Sequence, residues 1–288
     1  VDLILHPTTK TQVAQFLEQP NHAVLLVGAN GIGKTTLATK LAAGALGMTE
    51  DELMTYPYYT LLRSDGDSIS IETIRDLQRF MQLKTIGTKP LRRAAIIEHA
   101  DRLTTEAQNA FLKLLEEPPA DTIMILTTDN QRALLPTIRS RVQTIAAYAP
   151  DETDLKTHFR ARYVDEQTLN QAYFLSGGLP GLMHALLEGD ETHPLAAAVG
   201  TAKTLLGAPL FERLAHVDSL SKQKDAARYT VEALQHIAQT GLNQAAAKGD
   251  ANKIKQWHHI LKVSAEANQA FGQSANPKLV LSNLMLHI

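Results

Sequence analysis

Residues 24–36 read VLLVGANGIGKTT, and they constrain the fold more than any other stretch of the chain. The apolar run Ala23-Val24-Leu25-Leu26-Val27 predicts a short buried strand that stops at Gly28. Gly28, four residues, Gly33, Lys34 and Thr35 then fit GxxxxGK[ST] in full, and the Ala- and Leu-rich segment 37–46 predicts a helix. Strand, glycine loop and helix in that order make a phosphate site. Glycines let the backbone curl so that several N–H groups point at one anion, and the helix N-terminus adds partial positive charge. Gly28, Gly31, Gly33, Lys34, Thr35 and Thr36 are therefore expected to hold ATP or ADP. Lys34 would reach the β- and γ-phosphates, and the Thr35 hydroxyl would hold Mg²⁺. The alternative is a glycine-rich turn that binds nothing.

The remaining strand signals lie before Pro150. Residues 58–63, 94–97, 122–126 and 142–146 predict four further strands, and helical spacing predicts helices at 11–18, 71–81 and from 105 to Pro118. Ser70 suits a helix N-cap, and Thr105 with Gln108 suits a capping box. The charged pair Arg92-Arg93 at a strand start is expected in solvent. Strands alternating with helices predict a parallel α/β sheet. After Pro150 only helices are predicted, at 151–162, 166–174, a third ending near Gly189, and then long amphipathic ones. One carries Val231, Leu234 and Ile237; another runs over 252–270 through Trp257 and Leu261. The last opens at Asn276-Pro277. It is apolar on nearly all sides and so is expected to be buried.

A length of 288 residues suggests about two domains and ample core. With 44% hydrophobic and 20% charged residues, the composition is that of a soluble globular chain. The net charge of −2 excludes the overall basic excess of a nucleic-acid binder, though a local basic face stays open. Cysteine is absent, which excludes disulfides and thiolate metal sites. No apolar run approaches the ~20 residues of a membrane span, and VDLILHPTTK lacks a signal-peptide pattern. A cytoplasmic protein is expected.

Further candidate residues stand near strand ends. The third strand runs into Glu98 and His99. Glu98 is a candidate Mg²⁺ ligand through water, or a strand-end carboxylate with no metal. His99 stands where an ATPase needs a carboxylate to orient water, and it reads as a packed or capping histidine. Thr128 is a candidate sensor of the γ-phosphate, or a turn residue. Arg141, taken alone, is a surface arginine. His258 and His259 are adjacent on a helix and do not share a face, so no metal site is expected there.

The stretches GANGIGKTT, SISIETIRDL, ADRLTTEAQNAFLKLLEEPP, LTTDNQRALLPTIRSRVQ, LSGGLPG and NPKLVLSNLMLHI occur in this order over nearly the whole chain. Together they resemble the bacterial DNA polymerase III clamp-loader subunits of the AAA+ class. The block from Ala100 to Pro119 is the most specific. It is similar to the segment after the Walker B strand in the gamma and delta-prime types, delta-prime first. The resemblance implies a RecA-like AAA+ nucleotide domain at 1–150, a helical lid at 151–190 and a helical collar at 191–288. The collar would join a ring of five subunits that opens a sliding clamp and places it on primed DNA. The implied partners are gamma/tau and delta subunits, the clamp, and primed DNA within the complex. The resemblance also sets the phosphate-loop strand between the Arg141 strand and the Thr128 strand.

The departures from the family pattern are specific. Active ATPase subunits carry Asp-Glu where this chain has Glu98-His99, and an arginine in the lid where Leu182 follows Gly181. The family's zinc cysteines are absent, and 48–59 is expected to be a loop without metal ligands. Ser-Arg-Cys becomes Ser140-Arg141-Val142, which keeps the arginine. The resemblance thus implies Arg141 as a finger acting on a neighbour's nucleotide, in a subunit that binds nucleotide but hydrolyses it weakly. Two other readings stay open: an active gamma-type ATPase with an unusual Walker B end, and a free-standing P-loop kinase. The kinase would need a phosphoryl-acceptor site, which the sequence does not offer.

Overall fold

The computed structural model describes residues 3–64, 68–163, 165–190, 192–272 and 275–288. Its contacts divide the chain into two compact units, residues 1–150 and 151–288.

The first unit is a parallel sheet between helical layers. It runs α1 (Pro7–Glu18), β1 (Ala23–Val27), α2 (Lys34–Leu46), α3 (Glu50–Met54), β2 (Tyr59–Leu62) and α4 (Ile71–Met81). Then follow β3 (Arg93–Ile97), α5 (Thr105–Glu116), β4 (Thr122–Thr128), α6 (Pro136–Arg139) and β5 (Gln143–Ala146). The strand order is β2-β3-β4-β1-β5. The phosphate-loop strand therefore lies between the strand that ends in Thr128 and the strand that follows Arg141. Alternation sends strand side chains into two cores. Val24, Leu26, Ile96, Ile123 and Ile125 meet Leu37 and Leu41 of α2. Leu25, Ile97, Met124 and Leu126 meet Ile74 of α4 and Phe111 of α5 on the other face. Strands covered on both faces read as continuous apolar runs, which is why AVLLV and TIMIL show no polar alternation. At the β5 edge, α1 satisfies the outward backbone groups of Ala146. Thr9 Oγ1 donates to its carbonyl at 2.8 Å, and Gln12 Oε1 accepts from its N–H at 3.2 Å.

Several local expectations are corrected. Segment 48–59 contains α3, opened by a reciprocal capping box of Thr49 and Glu52. The cap of α5 is Thr104, which accepts from Ala107 N at 3.2 Å, so Thr105 is already helical. Gln108 caps nothing. It is buried and ties α5 to the turn before α6: its Nε2 donates to Leu103 O at 3.2 Å and Ala133 O at 3.0 Å. Its Oε1 accepts from Leu135 N at 2.7 Å. Arg93 is 1% exposed rather than solvated. Consecutive extended residues face opposite ways, so only Arg92 can stay near solvent. The Arg93 guanidinium donates to the carbonyls of Met81 and Leu83 at the C-terminal end of α4, where a helix leaves acceptors unpaired.

The second unit is helical. It runs α7 (Glu152–Arg160), α8 (Glu166–Ser176), α9 (Pro180–Glu188), α10 (Pro194–Gly207), α11 (Leu210–Ser221), α12 (Lys224–Lys248), α13 (Ala251–Gly272) and α14 (Pro277–His287). Helices α12 and α13 form a hairpin turned by Gly249 (φ 68°), whose N–H meets the Ala245 and Ala246 carbonyls. Residue 241 must be glycine for close packing, because a Cβ there would stand 2.5 Å from the Trp257 ring. The same indole meets Phe174 of α8 edge-on at 6.3 Å. Helix α14 is capped by Asn276 as expected, but it is not buried all round. Leu281, Leu284 and Met285 pack inward, while Leu279 is 70% and Leu286 53% exposed. Its neighbours α11 and α13 cover one side only. Among the described residues no helix is long and apolar enough to cross a membrane.

Candidate functional site

The phosphate loop joins β1 to α2. Gly31 (φ 80°) and Gly33 (φ 95°) take left-handed conformations that side chains resist. Gly28 is needed for a different reason: a Cβ there would lie 2.7 Å from the Ala147 carbonyl, where the loop passes the exit of β5. Gly33 caps α2, and the first helical bond runs from Leu37 N to Gly33 O at 2.9 Å. The N–H groups of Lys34, Thr35 and Thr36 belong to the helix start, where no intrahelical acceptor exists. Lys34 is 6% exposed. Its Nζ donates to Gly28 O at 2.8 Å and Ala29 O at 3.0 Å, so the ammonium lies against the loop itself. Backbone donors, one ammonium and a helix N-terminus are the set that phosphates require.

Thr35 and Glu98 are brought together, and they are bonded to each other: Thr35 Oγ1 donates to Glu98 Oε1. The other carboxylate oxygen accepts from Arg63 Nε at 2.8 Å. This pair does not fit Mg²⁺ as it stands. The hydroxyl that would ligate the ion and the carboxylate that would order its waters are spent on each other, and a guanidinium balances the charge.

His99 follows, with φ 52°, and among the described residues it alone combines a side chain with a positive φ. Its N–H donates to Thr127 Oγ1 at 3.1 Å, which holds the turn. Burial, and then the charge of Arg102, push the imidazole below its ordinary value of 6.5. It is neutral at pH 7 and no substitute for a carboxylate. Thr128 is fully buried; its Oγ1 donates to Asp101 at 2.8 Å and accepts from Asn130 N at 3.0 Å. Alternation puts Thr128 on the face of Met124 and Leu126, and Thr127 on the face of Ile125 and α2. Thr127 therefore borders the Glu98–His99 turn. From the loop, Asn30 Nδ2 donates to Asp129 Oδ2 at 2.8 Å. Arg141 stands before β5. Its guanidinium donates to Glu116 Oε1 at 3.0 Å and Thr137 O at 3.1 Å, on α5 and α6.

A family model described as DNA polymerase III, delta subunit, matches residues 7–150. The chain belongs to this family. Delta-prime subunits at 29–36% identity, ahead of gamma/tau subunits, support the delta-prime type within it. The delta-prime subunit of Pseudomonas aeruginosa is 34% identical over 181 residues, covering 56% of this chain and 54% of that protein. The Bacillus subtilis subunit is 36% identical over 138 residues, covering 43% and 41%. The Escherichia coli subunit is 29% identical over 206 residues, covering 65% and 61%. The chain thus spans about half the length of the curated relatives it matches. A DNA polymerase III gamma subunit-related protein of Thermotoga maritima shares the fold, with a TM-score of 0.51 and 19% identity over 97% of both chains.

Sequence reasoning missed Arg63, Thr127 and the Asn30–Asp129 bond in this family member. The signal for Arg63 was positional: it follows the apolar run of β2 as Glu98 follows that of β3. The parallel register Leu62↔Ile97 sets the two side by side. That register is invisible until the sheet order is known.

Proposed function

We propose that this chain is a non-motor clamp-loader subunit. In a ring with gamma/tau and delta-type subunits it helps the ATP-dependent loading of a sliding clamp onto primed DNA in the cytoplasm. Gly31, Gly33, Lys34, Thr35 and Thr36 hold the phosphates of ATP or ADP, and hydrolysis at this site is slow. The observation that carries the reading is the end of β3. Glu98 is held by Arg63 and Thr35, and the next residue, where hydrolysis needs a base, is a neutral histidine. A missing base costs ~10²–10⁴ in rate. Leu182 is fully buried in α9 and supplies no guanidinium to a γ-phosphate.

Residues 151–190 then serve as a lid and 191–288 as the collar. Arg141 acts in trans. Its present partner Glu116 is half exposed, and such pairs hold by only about 0–1 kcal/mol. A neighbour's γ-phosphate can therefore take the guanidinium. Thr128 senses the γ-phosphate through its bond to Asp101, with Thr127 holding the adjacent His99 turn. The test is steady-state ATP turnover by the pure chain. The expected rate is well below the ~1 s⁻¹ of an ordinary ATPase. Turnover at or above that rate would contradict the reading and favour the active gamma-type subunit.

A further inference from the structure

We infer that Arg63 takes the place of the divalent cation at this phosphate loop, so that nucleotide binds here without Mg²⁺. The inference rests on the nucleotide reading of the loop. Glu98 N donates to Leu62 O at 2.9 Å, which fixes the two strand exits beside each other. Arg63 Nε then meets Glu98 Oε2 at 2.8 Å, while Glu98 Oε1 accepts the hydroxyl of Thr35, the second residue of α2. The Glu98 side chain is 17% exposed and that of Arg63 65%. The carboxylate is thus fixed in the protein and the guanidinium stands on its solvent side.

Three physical consequences follow from this arrangement. Mg²⁺ demands near-octahedral oxygen ligands and gives up water reluctantly. To enter here it must break the Thr35–Glu98 bond and displace a cation that is already paired. The carboxylate and guanidinium charges cancel, so little field remains to draw in a dication. Finally, Glu98 engages only Nε. The terminal amines of a guanidinium carry four more N–H donors in a plane that matches phosphate oxygens. Arg63 is therefore equipped to bridge Glu98 to a bound diphosphate, the role a metal with its waters fills elsewhere.

The test is an anisotropy titration with a fluorescent N-methylanthraniloyl derivative of ADP, in excess EDTA and again in saturating MgCl₂. Wild type should show the same Kd in both buffers, within about threefold. Arg63→Ala should bind about tenfold more weakly in EDTA, with Mg²⁺ restoring the loss. Arg63→Lys, which keeps a charge but not the fork, should fall between them. Arg63 is exposed, so thermal melts of both variants should match wild type. Wild-type binding that requires Mg²⁺ overturns the inference and leaves the phosphate cradle intact. Mg²⁺-independent binding that is unchanged in Arg63→Ala overturns it as well. Absence of binding in both buffers overturns both the inference and the nucleotide reading beneath it.

Discussion

Arg93 carries its guanidinium into the first unit with 1% of its surface exposed. Its N–H groups serve Met81 O, Leu83 O and Thr122 Oγ1. The Phe80 ring lies 5.6 Å from its guanidinium carbon, and Asp121 stands 4.0 Å away. Removing the side chain strands the carbonyls that close α4 and leaves Asp121 short of one cation. Arg93→Met is therefore expected to destabilise the first unit by about 2–6 kcal/mol, since each stranded carbonyl costs about 1–3 kcal/mol. Arg92→Ala removes half-exposed bonds to Thr85 and Asp121 and should cost about 1 kcal/mol. Denaturant midpoints measure both, and equal losses would contradict the placement of the two arginines.

At the scale of elements, Gly241 shows packing overruling propensity. Glycine inside a helix costs about 1 kcal/mol against alanine, so propensity alone makes Gly241→Ala stabilising. The added methyl would lie 2.5 Å from Trp257, and overpacking costs about 1–3 kcal/mol. The expected net effect is a lower melting temperature together with a shifted emission of Trp257, the sole tryptophan. A more stable variant would contradict the α12–α13 contact. The central strands were legible because burial on both faces leaves an apolar run, and the phosphate loop because its glycines are fixed by backbone geometry. Helix α3 was missed because its five residues rest on a cap rather than on a period. The excess of apolar residues in α14 said nothing of how many sides its neighbours would cover. The Arg63–Glu98 bond joins residues 35 apart and depends on strand register, which no local pattern contains.

For the molecule as a whole, pH acts through half-buried histidines. Burial holds His99 in the first unit, and His193 and His236 in the second, below their ordinary value of 6.5. As pH drops past that value, the unfolded chain takes up protons that the folded chain refuses, so stability falls. Melting temperatures should decline between about pH 7 and about pH 5, and His236→Gln should flatten the slope of the second unit. A flat wild-type profile would contradict these burials. If Arg141 acts in trans as proposed, Arg141→Ala should leave the chain folded but lower ATP turnover by at least about tenfold when the chain is mixed with its proposed partners. That is less than the roughly 10³–10⁵ arginine fingers supply in GTPases, as expected if the proposed ring has several sites. Unchanged turnover would reduce this chain's role to that of a collar-forming scaffold.

The most direct test of a clamp-loader role is the native mass of the species formed when this chain is mixed with gamma/tau and delta-type subunits. The expected result is a closed set of subunits that contains this chain at fixed stoichiometry. A mixture in which this chain stays apart from both partners would contradict the account.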